Sequence, residues 1–175
     1  MTTFLNESIK RFRKKLGFYI ASQKNITLDS GTMSRIRHGK VRKNGKTFLT
    51  TSIIFDLKQC LKIDSNQRFF FPDDYFLEIF LYELLRIMIH EEKFHDDLIV
   101  KNFKINVEDY FNNQYKMVIN INLKAKFEQF FVDKKDDILF SFKNLTKEID
   151  NIDDIDSNKV ENLIIMWLAY YLNSL

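Results

Sequence analysis

Hydrophobic positions along the chain fall into stretches with a helical period, separated by short polar breaks. Phe4, Leu5, Ile9, Phe12, Leu16, Tyr19 and Ile20 recur three or four apart. That spacing predicts residues 4–24 as one helix, or as two short ones broken at Gly17. Thr47 to Ile63 resumes the period through Ile53, Ile54, Leu57, Cys60 and Leu61, and Asp64-Ser65-Asn66 ends it. Phe69 to Asp74 (FFFPDD) reads as the hinge of the molecule. There Pro72 pre-sets a helix start, with Asp73 and Asp74 in the first turn. From Tyr75 to about Phe94, apolar residues cover more than half of the helix circumference. Such a helix is central to a core or to a subunit interface.

The period then changes. Phe103, Ile105, Val107 and Phe111 alternate with polar residues, as do Tyr115, Met117, Ile119, Ile121 and Leu123. Alternation predicts strands. A three-residue loop, Asn112 to Gln114, pairs Phe111 with Tyr115, Val107 with Ile119 and Ile105 with Ile121, so every apolar residue lies on one face. A hairpin near residues 103–123 is therefore expected, with a helix through Met117 to Phe131 as the competing reading. Residues 124–150 read as helical with a break near Asp133. Asp150 to Asp156 is a loop, and Ser157 to Leu175 a closing helix with Val160, Leu163, Ile164, Trp167, Leu168 and Tyr171 inward.

Composition sharpens this picture. In 175 residues, 18 Phe, four Gly and one Pro describe long elements with few tight turns, which favours helices. Cys60 is the sole cysteine, so no disulfide forms within one chain, which fits a reducing compartment. No charged-then-apolar leader opens the chain, and the longest apolar run, Leu163 to Leu172, is too short to span a bilayer. A soluble, cytoplasmic protein without a membrane partner is expected. Charge is unevenly divided. Residues 1–68 hold 15 Lys or Arg against four acids, a net +11, and the remainder hold 12 against 20, a net −8. A basic part that meets phosphate, joined to a part that does not, is the reading this split supports.

Within the basic part, Asp29 to Lys40 (DSGTMSRIRHGK) has the shape of a groove-reading helix with both its stops. Asp29 caps the start. Met33 and Ile36 take the buried side, with Leu28 just outside the cap. Gly39 supplies a left-handed stop, and Lys40 begins a basic loop, Val41 to Lys46. Ser30, Gly31, Thr32 and Arg35 are left outward, where small and hydrogen-bonding residues let a backbone approach base edges and an Arg can read guanine.

Met33, Ser34, Arg35, Ile36, Gly39 and Lys40 resemble the third helix of the phage-repressor-like (XRE-type) helix-turn-helix family, and Leu57, Cys60, Leu61 and Ile63 resemble its closing helix. The likeness covers about residues 5–65. Ahead of it, Ala21, Asn25, Ile26 and Thr27 echo the family's preceding helix and turn only with about two residues inserted, and the loop after Gly39 is longer and more basic. The resemblance implies a helix-turn-helix DNA-binding domain over 1–66; with the periodicity of the rest, the expected fold is mainly α (α+β), with a mainly helical dimerisation or effector domain over 67–175 containing the hairpin. The resemblance also implies a sequence-specific transcriptional regulator of phage or bacterial repressor type, acting on double-stranded DNA as a homodimer. Ser30, Gly31, Thr32 and Arg35 would contact bases. Arg13, Lys14, Arg37, Lys40, Arg42, Lys43 and Lys46 would contact phosphates. Two alternatives stay open. One is a phage-borne inhibitor of a host defence nuclease (anti-CRISPR-like), whose C-terminal effector domain engages a protein target while the N-terminal part represses its own operon. The other is RNA binding by the basic face.

Other chemistry is set aside. His90 and His95 are five apart, about 140° round a helix, where a zinc-protease pair needs four. Asp154-x-Asp156-x-Asn158 copies the start of a calcium loop but has Lys159 and Ile165 where Gly and Glu belong. No enzyme, catalytic residue, metal or cofactor is expected.

Overall fold

The computed structural model describes residues 3–42, 45, 47–115 and 121–172. They form eight α-helices and no strand: α1 (Thr3–Ser22), α2 (Ser30–Arg37), α3 (Thr51–Leu61), α4 (Asn66–Phe70), α5 (Asp74–His90), α6 (Leu98–Tyr115), α7 (Leu123–Thr146) and α8 (Ser157–Met166). A 3-10 turn follows α5, another follows α7, and one π-type turn, Trp167–Tyr171, extends α8. Among the described residues no helix is long and apolar enough to cross a membrane.

The α1 helix runs unbroken through Gly17. That residue is small for a packing reason, since a Cβ there would overlap the Ile36 carbonyl of α2. Pro72 stands two residues before α5, just ahead of its cap. The cap is Asp73, whose carboxylate accepts the Phe76 N–H at 2.7 Å.

The expected hairpin is not formed, and the fold class is all-helical among the described residues. Residues 103–115 belong to α6. Val100, Phe103, Val107 and Phe111 are its buried stripe, three and four apart, whereas Ile105 is 56% exposed. The apparent alternation arose because a four-residue helical repeat contains every second residue of a two-residue one, and Ile105 supplied the missing beat. Met117 and Ile119, the other half of the hairpin, lie outside the described residues. The break near Asp133 is also absent, because α7 is continuous from Leu123 to Thr146. Asp133 instead ties α7 to α6, accepting the hydroxyls of Tyr115 at 2.7 Å and Tyr110 at 3.2 Å.

One hydrophobic cluster runs from Phe4 to Leu172. Phe12 of α1 packs on Phe71 and Phe80 with ring centroids 5.7 and 5.6 Å apart. Phe142 of α7 meets Phe71, Phe80 and Trp167 edge-on. Each such pair adds about 0.5–1.5 kcal/mol beyond its buried area. Phe69, Phe70 and Phe71 are therefore the middle of a core, buried with residues from both sides of position 66. Beside them Asp150 accepts the Ser65 hydroxyl and the Gln67 N–H, tying α4 to the turn after α7.

Candidate nucleic-acid interface

The candidate interface is α2 with the ends of α1 and the loop around it. Both stops of α2 are made by the residues that the sequence marks. Asp29 Oδ1 accepts the Thr32 N–H at 2.8 Å. Hydrogen bonding from the Thr32 side chain first, and then from its N–H, holds the Asp29 carboxyl below its ordinary value. At the other end Gly39 N–H donates to Ile36 O at 2.9 Å and Lys40 N–H to Arg35 O at 3.1 Å, the paired bonds of a Schellman stop. Gly39 has φ +64°, and a Cβ on it would sit 2.8 Å from the Lys14 nitrogen. Glycine is required there twice over, by conformation and by the close approach of α1.

Ile36 is fully buried and Met33 half-buried, which sets the inward side of α2. The outward side carries Ser30, Gly31, Ser34, Arg37 and His38, all exposed. His38 leans back along the helix with Nδ1 2.7 Å from the Ser34 carbonyl. Thr32 is half-buried.

Arg35 does not stand on that outward side. Its guanidinium turns back under the loop, and Nη1 donates to the carbonyls of Lys40 at 2.9 Å and Phe48 at 2.7 Å. Nη2 is buried and has no hydrogen-bond partner among the described residues. Burial, and then the charge of Arg42, lower the pKa of Arg35 from its ordinary value. The side chain that helical spacing assigns to base edges is thus a strut for the loop. Arg37, expected at phosphate, occupies the exposed cationic position at the end of the helix.

The phosphate-contact candidates divide as well. Arg13 makes a bidentate pair with Glu161 of α8, at 2.7 and 2.6 Å, and is not free for phosphate. Glu161 is itself buried; burial holds its carboxyl pKa above the ordinary value against the opposing pull of Arg13. Lys14, Arg37, Lys40 and Arg42 are exposed, and none has an acid within ion-pair distance among the described residues. Lys43 and Lys46 lie outside the described residues. Lys14 and Arg37 share an open cleft of about 310 Å³ with Phe18, which is 62% exposed.

Three participants escaped the sequence reading. Phe18 sits off the apolar stripe of α1, where a lone Phe carries no signal. Glu161 could have been noticed, since it falls beside Val160 and Ile164 on an inward face, and a buried acid needs a partner. Ser157, whose hydroxyl accepts the Phe48 and Leu49 N–H groups beside the Arg35 contact, offers no such sign. No family model matches the chain, and no curated protein or solved structure is found to be similar to it.

Proposed function

We propose that the protein is a sequence-specific DNA-binding transcriptional regulator of the cytoplasm, acting on duplex DNA through α2 as a homodimer. The observation that carries this reading is the outward face of α2. A helix capped at both ends and seated on the backbone of α1 presents Ser30, Gly31 and Ser34, with Arg37 beside them and Lys14, Lys40 and Arg42 around the rim. Small side chains let a helix enter the major groove. A guanidinium at its edge can bond guanine O6 and N7 together, and rim cations neutralise phosphates without choosing a sequence. In this reading Arg37 is the base reader, Lys14, Lys40 and Arg42 hold the backbone, and Arg13 and Arg35 serve the fold.

The test is a binding selection on random duplexes with wild type and Arg37→Ala, with structured RNA as competitor. Wild type should recover a motif of paired half-sites. Arg37→Ala should lose roughly ten- to a hundredfold in specific affinity, with preference relaxed at one base pair per half-site. Recovery of the same motif at the same strength would remove Arg37 as a reader. No duplex motif at all, or capture of RNA in preference, would remove the function.

A further inference from the structure

The segment that leaves α2 and enters α3 is gripped by the far end of the chain. Ser157, the first residue of α8, is fully buried. Its Oγ accepts the Phe48 N–H at 3.1 Å and the Leu49 N–H at 3.0 Å, and its own N–H donates to the Leu49 carbonyl at 3.0 Å. Asn158 Nδ2 donates to Thr47 Oγ1 at 2.9 Å, and Thr51 Oγ1 donates to the Asp154 carbonyl at 3.2 Å. Of the four backbone polar groups of Phe48 and Leu49, the remaining one is the Phe48 carbonyl, and it takes Arg35 Nη1. Phe48 and Leu49 are themselves fully buried, so each of these amides and carbonyls must find a partner inside the protein. A single hydroxyl at position 157 serves two of the four.

From this geometry we infer that Ser157 is a positioning residue for the DNA-reading face, an inference that rests on the function proposed above. Ser157 fixes residues 48 and 49, the Phe48 carbonyl fixes the Arg35 guanidinium, and the same guanidinium fixes the Lys40 carbonyl. Lys40 and Arg42 leave α2 at that point. The placement of two phosphate-facing cations is thus set by α8, although no residue of α8 faces the DNA. Glu161 works in the same direction from one turn further on by holding Arg13 against α8.

The experiment uses the full chain with Ser157→Ala, and Thr146→Ala as a control. Thr146 is equally buried, and its hydroxyl bonds run to α4 and α7: it donates to the Phe142 carbonyl at 3.0 Å and accepts from Gln67 Nε2 at 3.0 Å. Duplex affinity is measured across a salt series. Ser157→Ala should weaken binding about three- to thirtyfold. The slope of log affinity on log salt should fall by roughly 1 to 2 as Lys40 and Arg42 lose their fixed places. The selected base motif should be unchanged, and Thr146→Ala should leave the slope alone. Wild-type affinity and slope in Ser157→Ala would overturn the inference. So would an equal loss of both in Thr146→Ala at the same melting temperature. If wild type shows no salt-dependent duplex binding, the DNA reading fails instead. Amide exchange at Phe48 and Leu49 then decides the positioning role separately: faster exchange in Ser157→Ala than in Thr146→Ala supports it, and equal rates overturn it.

Discussion

The guanidinium of Arg35 bonds two main-chain carbonyls, and that distinguishes it from an exposed helical Arg. Arg35→Ala leaves both acceptors short of a charged donor in a partly buried place, which costs about 1–3 kcal/mol. For a chain of this size, thermal unfolding should read that as a fall of about 2–4 °C per kcal/mol. An unchanged melting temperature would mean that the strut carries no stability. The same residue shows where sequence reading stops. Asp29 and Gly39 were legible because each cap bonds within five residues of itself, and the residue types that can do this are few. Arg35 was not, because helical spacing fixes the face on which a side chain starts and not where a long one ends. Its partner Phe48 lies 13 residues away. Gly17 was noticed as a weak point in a helix, but its cause, the Ile36 carbonyl of another helix, is a tertiary fact.

Elements were legible where one periodicity stood alone. The long apolar runs of α1 and α5 show the helical period alone, and both are helical, α1 without the break that Gly17 left open. Residues 103–111 admit two, because positions four apart satisfy both periods, and only the fate of Ile105 separates them. In a hairpin Ile105 and Val107 would share the buried face. In α6 Val107 is fully buried and Ile105 is 56% exposed. Val107→Ala should therefore cost about 1–2.5 kcal/mol, and Ile105→Ala should stay within about 0.5 kcal/mol of wild type. Chemical denaturation of the two variants checks this directly, and equal losses would contradict the helix. Asp133 teaches the complementary lesson. A charged residue between apolar ones looks like an interruption until its partners, Tyr110 and Tyr115 on the neighbouring helix, are known.

At the scale of the whole molecule, the division of charge at about residue 68 does not mark a division of the core. Phe12, Phe71, Phe80 and Phe142 pack across it, and Arg13 and Glu161 bridge it. Charge follows what the surface meets, whereas packing follows what the chain must bury, and the two need not share a boundary. Stability should also carry a pH signature from His90, whose Nε2 is buried and has no partner among the described residues. Burial first, then the charges of Arg86 and Lys124, hold its pKa below the ordinary 6.5, against a smaller opposite pull from Glu128. The unfolded chain takes the proton more readily. Stability from neutral His90 is thus fully present above 6.5 and is lost as pH falls from there through the folded value. Unfolding free energies followed from about pH 7 to pH 5 should drop more steeply for wild type than for His90→Gln. Parallel curves would show that the ring is not held neutral.

The grip of Ser157 on Phe48 spans 109 residues, and this has a consequence for the order in which the protein is made. Helix α2, its two caps and the stretch of α1 beneath it are all present once residues up to about 40 have emerged. Their support is not. At roughly 5–20 residues per second, α8 follows Phe48 by about five to twenty seconds of synthesis. Through that interval α2 is on the nascent chain without the support of α8, and the inferred anchor closes only after Ser157 has been translated.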